Sequence, residues 1–168
     1  MSYFAAAVVR GSDGWAVTEL DLSGVSDVED VVDLLRDADP ETTLALLFVE
    51  SDDTFLTILR LDDGEDLRVF GSDSAFADES RLGAVLLGDI EQPALDLDDE
   101  PDADADAEPA VAPDIDPVGD ADILADRGVP AKKLLELCAH EGLLPADVTG
   151  EICQVLGCAD EVDGLRVA

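Results

Sequence analysis

The sequence predicts an α+β protein: an antiparallel sheet with packed helices in the order ββαβββα, then a disordered acidic linker and a small three-helix C-terminal unit. Three observations carry this. Short apolar runs with strand-like composition alternate with turn clusters through the first 90 residues. One stretch near residue 30 switches to the helical period. Between Glu91 and Gly119 the chain has eleven acidic residues, no Lys or Arg, and five of its eight prolines. The expected organisation is an α+β domain over 1–90, an Asp/Pro/Ala-rich linker over 91–119 and a small helical domain over 120–168.

The elements follow in order. Tyr3–Arg10 is rich enough in Val and aromatic residues for a strand. Gly11-Ser12-Asp13-Gly14 supplies turn chemistry. Trp15–Leu22 alternates and closes a hairpin. Ser26-Asp27-Val28-Glu29 reads as a capping box. Val28, Val31, Val32 and Leu35 follow on one helical face, and Asp39-Pro40 ends the helix. Thr43–Glu50 and Thr54–Leu61 are strands around a short loop, and Leu67–Phe70 extends the meander. Ser80 caps a short helix, Arg81–Leu87, stopped by Gly88. Sequential antiparallel strands with a helix packed on one face is the economical arrangement.

The acidic run cannot bury enough apolar surface to offset ordering entropy. Its length reaches at most roughly 95 Å fully extended. Limited proteolysis is expected to cut it and leave two resistant fragments. Beyond it, Asp120 opens a short helix through Asp126 with Gly128 as its stop. Pro130 begins a helix with Ala131, Leu134, Leu135 and Cys138 on one face. Pro145 begins another, with Val148, Ile152, Val155 and Leu156 facing together before Gly157, and a further turn falls at Asp160–Leu165. Such a unit is close to the lower size limit for independent folding, and docks on the first domain or on a partner.

Charge excludes several functions. With 42 acidic and 9 basic residues the net charge is −33, and every segment is negative. Such a surface repels nucleic acid and anionic membrane and attracts basic proteins. Direct nucleic-acid binding is therefore not expected, nor is membrane association, since no apolar run approaches a spanning length. Three cysteines, all in the last third, fit a reducing compartment, and a cytoplasmic location is expected.

No catalytic, cofactor-binding or metal-binding residues are assigned. Cys138, His140, Cys153 and Cys158 lack the paired spacing of a zinc site. Cys138 and His140 lie about 200° apart on a helix, which also defeats a Cys–His nucleophile pair. A Gly-x-Ser-x-Gly elbow is missing. Asp102, Asp104 and Asp106 start like a calcium loop, but Ala107 and Pro113 break it. No glycine-rich phosphate motif occurs, and the aromatics carry no interleaved basic residues. The chain is read as no enzyme, without cofactor.

The pattern as a whole resembles a known family. The carriers are the start Met-Ser-Tyr-Phe-Ala-Ala, Gly14-Trp15, the acidic capped helix, Leu46-Leu47-Phe48-Val49-Glu50 and Arg68-Val69-Phe70-Gly71-Ser72-Asp73. After the acidic run, Gly119-Asp120-Ala121-Asp122-Ile123-Leu124-Ala125-Asp126, Leu134-Leu135-Glu136-Leu137-Cys138, Leu144-Pro145-Ala146-Asp147 and Leu156-Gly157 continue it. Together they are similar to the tRNA adenosine deaminase-associated proteins of high-GC bacteria. The resemblance implies association with the deaminase and brings no catalytic residues. The deaminase itself is excluded, because His140 is followed directly by Glu141 and no Cys-x-x-Cys exists to hold its zinc. The expected function is a non-catalytic accessory protein for a tRNA adenosine deaminase. The alternative is an acidic protein–protein interaction module unrelated to tRNA modification.

Overall fold

The computed structural model describes residues 3–11, 14–22, 24–38, 43–51, 55–63, 65–72, 75–87, 118–139 and 144–167. The chain runs β1 (Tyr3–Gly11), β2 (Gly14–Glu19), α1 (Val28–Ala38), β3 (Leu44–Ser51), β4 (Phe55–Asp62), β5 (Asp66–Gly71), α2 (Ala75–Glu79) and α3 (Arg81–Leu87). It resumes with β6 (Val118–Gly119), a 3₁₀ turn (Ala125–Arg127), α4 (Ala131–Ala139), α5 (Pro145–Leu156) and α6 (Ala159–Val167). All strands join one antiparallel sheet ordered β2-β1-β3-β4-β5-β6.

The predicted α+β class holds, with α2 and β6 as additions. Residues 88–117, which include all of the acidic run but its last two positions, lie outside the described residues. Those last two, Val118 and Gly119, instead pair with Gly71 and Phe70 as β6. Gly119 sits at φ 90°, and a Cβ there would fall 2.1 Å from the Val69 oxygen. Only glycine permits this approach.

Helices cover both faces of the sheet rather than one. The reason lies in β3, buried at every position from Leu44 to Ser51. A strand buried on both faces reads as a continuous apolar run, and both faces then need cover. On one face Ala5, Ala7, Val9, Ala45, Leu47, Val49, Phe55, Leu59 and Leu61 pack against Val31, Val32 and Leu35 of α1 and against Phe76, Leu86 and Leu87 of α2 and α3. Phe55 and Phe76 stack at 5.1 Å between ring centroids. On the other, Val8, Leu44, Leu46, Phe48, Leu56, Ile58 and Phe70 share a core with Ile123, Leu124, Val129, Leu134, Val148, Ile152, Cys153, Cys158 and Val162.

Local signals are met with two shifts. Asp27, not Ser26, caps α1: its Oδ1 accepts from the Glu29 and Asp30 amides at 3.1 and 3.2 Å, and Ser26 N donates to Asp30 Oδ2 at 2.8 Å. A carboxylate outcompetes a hydroxyl at the positive end of a helix. Ser80 caps α3 as predicted, accepting from the Leu82 and Gly83 amides. The predicted helix from Asp120 to Asp126 shrinks to turns and one 3₁₀ turn, with Arg127 N donating to Leu124 O at 2.9 Å. Ile123 O, which an α-helix would offer to Arg127, accepts instead from Arg60 at 2.7 Å. Gly128 then ends the turn at φ 105°, and Gly157 ends α5 at φ 99°.

Candidate functional site

No group of three His, Cys, Asp or Glu side chains is placed to hold a metal among the described residues. Cys138 flanks the core, and burial pushes its thiol up to about 12, where it is an inert apolar residue. Cys153 and Cys158 are buried together, and the hydrogen bond from Cys153 lowers the Cys158 thiol. His140 lies outside the described residues. What the fold assembles is two polar clamps and a charged exterior.

The first clamp is Arg60 on β4, 5% exposed. It points to the face covered by the C-terminal helices, in line with Leu56 and Ile58. Its two Nη atoms donate to both carboxylate oxygens of Asp126 at 2.6 and 2.9 Å. Nε donates to Asp62 at 3.0 Å, and Nη1 also donates to Ile123 O. The fork geometry of a guanidinium suits this bidentate grip. The hydrogen bond from Arg60 holds the Asp126 carboxyl at about 2. That hydrogen bond likewise raises Arg60, against the cost of burial. The cluster ties the middle of the sheet to the segment entering α4.

Arg60→Ala should lower unfolding stability by about 2–3 kcal/mol, because Ile123 O is left unpaired and a buried stem is lost. Asp126 is 58% exposed, so solvent screens its share, and Asp126→Asn should lose only about 1–2 kcal/mol. Asp126 is depressed in the folded state, so its contribution is full above the ordinary carboxylate range. It fades as pH falls from about 4 through about 2. Denaturant curves of wild type and Asp126→Asn should therefore differ less at pH 3 than at pH 7.

The second clamp is Trp15 on β2. Its indole Nε1 donates to Leu156 O at the end of α5, at 3.1 Å. Arg10 lies over the ring, 5.2 Å from its centroid. Trp15 thus closes one C-terminal carbonyl that the helix itself leaves open. The Gly-Trp pair quoted in the sequence is where the hairpin meets the helical layer.

The exterior is acidic in every layer. α1 exposes Glu29, Asp33 and Asp37, α5 exposes Asp147 and Glu151, and α6 exposes Asp160, Glu161 and Asp163. Asp63, Glu65 and Asp66 line the β4–β5 turn, and Asp78 and Glu79 sit on α2. Lys132 and Lys133 are exposed on α4, whose Leu134 and Leu137 are buried. A shallow depression of ≈ 320 Å³ lies between Tyr3, Glu19, Leu20 and Asp21. Its lining offers two carboxylates and a phenol already engaged: Tyr3 OH donates to Asp21 and accepts from Leu22 N at 2.7 Å. Nothing there provides positive charge for a phosphate. Sequence reasoning missed both clamps, since a lone arginine inside an apolar strand signals a buried partner without naming it.

No helix of the described residues is long and apolar enough to cross a membrane. Neither a comparison with curated proteins nor one with solved structures gives a match. A scan against protein-family profiles matches residues 3–159 to the Rv3753c-like tRNA adenosine deaminase-associated proteins. That match covers both clamps and all but the α6 part of the two core layers, and the chain belongs to this family.

Proposed function

We propose that this protein is a non-catalytic accessory protein that binds a tRNA adenosine deaminase in the cytoplasm and contacts no tRNA itself. The observation that carries the reading is the net charge of −33 on a chain of a deaminase-associated family. An enzyme that grips tRNA needs basic surface for phosphate. An acidic protein complements that surface and occupies it while RNA is absent. The burial of Cys153 and Cys158 and the abundance of solvent-facing carboxylates support a binding role.

Co-purification of this protein with the deaminase at low and at moderate salt tests the reading. Association is expected at low salt and should weaken as salt shortens the screening length from roughly 10 Å at 0.1 M to 3 Å at 1 M. Purified alone, the protein should give no saturable complex with tRNA near physiological salt. A tight complex with tRNA alone would overturn the electrostatic reading. Absence of deaminase association at any salt would leave the unrelated interaction module in its place.

A further inference from the structure

The two edges of the sheet differ. At the β5 edge, β6 pairs with Phe70 and Gly71, and Asp120 N donates to Val69 O at 2.9 Å. At the other edge, Leu20 N donates to Ala5 O, and the β1–β2 register runs from there through Thr18↔Ala7 and Ala16↔Val9. In an antiparallel ladder alternate residues bond inward. Ala16 and Thr18 therefore face β1, and Trp15, Val17 and Glu19 turn their N–H and C=O groups outward. No described backbone group pairs with these six.

Natural edges are guarded by lysine, proline or a bulge. β2, Gly-Trp-Ala-Val-Thr-Glu, carries no lysine and no proline, and its register with β1 is unbroken. Its outer positions are open: Ala16, Thr18 and Glu19 are exposed. The two faces beside the edge are unlike. On one, Ala16 and Thr18 form a small, uncharged shelf. On the other lies α6, which packs beside β2 and exposes Asp160, Glu161 and Asp163. Glu19 and Asp21 close the end of the strand. Among the described side chains, Arg10 stands near these five acids, engaged over Trp15.

We propose that β2 is a docking edge for an extended basic segment of a partner protein, which adds as a seventh strand. This rests on the reading of the protein as an acidic partner-binding protein, and names where the partner enters. Main-chain hydrogen bonds to Trp15, Val17 and Glu19 supply the common part of the affinity. Alternate side chains of the incoming strand fall on the α6 side, where lysine or arginine meets the acids. The intervening ones fall beside Ala16 and Thr18, where small apolar residues fit. A second copy of this chain is disfavoured as occupant, because pairing β2 with itself brings together two molecules of charge −33.

Amide hydrogen exchange of the full chain, read residue by residue by NMR, tests this. Two probes are used: the purified deaminase and a short peptide of alternating Lys and Val. A matching peptide N-methylated at alternate residues is the control, since it keeps the charge but cannot pair. At saturation the Trp15, Val17 and Glu19 amides should slow by roughly tenfold or more, while Ala16 and Thr18, already bonded, change little. The methylated peptide should give no such alternation. The peptide producing the pattern while the deaminase does not bind would uphold the edge and sink the deaminase reading. Deaminase binding without protection of these three amides would overturn the edge and leave that reading standing. Protection in the free protein that rises with its concentration would overturn it in favour of a β2–β2 dimer.

Discussion

A chain ending after residue 117 is expected to lose cooperative folding and to aggregate. The truncation removes β6, the 3₁₀ turn and α4–α6, and strips one whole face of the sheet. Val8, Leu44, Leu46, Phe48, Leu56, Ile58 and Phe70 would all meet water, although none is more than 2% exposed in the intact protein. At about 1.5–3 kcal/mol for each large buried side chain, the loss is on the order of 10 kcal/mol. That equals the whole stability of an ordinary domain. Arg60 would lose Asp126 and Ile123 O as well. Size-exclusion chromatography and a denaturant curve check the outcome. A soluble monomer with an unchanged, cooperative transition would show that the sheet stands alone. The same core predicts what a protease nick within residues 88–117 does: the two fragments should stay in one particle and unfold in a single transition.

Gly83→Val should be nearly as damaging. Gly83 lies on α3 where it crosses α2. A Cβ there would fall 2.0 Å from the backbone oxygen of Phe76 and 2.7 Å from its ring. Backbone cannot yield as a flexible side-chain tip can, and Phe76 is held by Phe55 and by the bond from Ser80 N to its oxygen. The two helices would have to part, uncovering Leu86 and Leu87. A loss of at least about 3 kcal/mol is expected, at the upper end for overpacking. Gly150→Ala is the matched control. It sits in α5 with nothing within 4 Å of the added carbon, so helix propensity alone acts. It should gain about 0.5–1 kcal/mol. Chemical denaturation of both variants reads the contrast directly.

The elements that were legible from sequence are those whose cause is local. Arg81–Leu87 was marked by Ser80 and Gly88, and α5 by Pro145 and Gly157. What escaped depends on distant partners. β6 is two residues long and exists because Gly119 fits against Val69. The turn at Ile123 is shaped by an arginine 63 residues away. The cap of α1 moved by one residue because Asp27 and Ser26 compete for the same amides. The unbroken run Leu44–Val49 does not alternate, and a strand that does not alternate has both faces covered. Read that way, it points to a second layer of helices, and the apolar stripes on α4 and α5 supply it. The charged exterior was largely legible, because carboxylates at this density go mostly to solvent; Glu50, buried within β3, is an exception.

Charge is the proposed guide for association with a tRNA adenosine deaminase. The most direct measurement is the association rate constant with that enzyme across a salt series, for the full chain and for a chain lacking residues 91–117. The deletion removes 11 of the 33 net negative charges and leaves β6 and both core layers in place. Association should be fastest at low salt and fall steeply as the screening length shortens from roughly 10 Å to 3 Å. The deletion should slow it and flatten that slope while the protein stays folded. A rate that is insensitive to salt and unchanged by the deletion would contradict charge as the determinant.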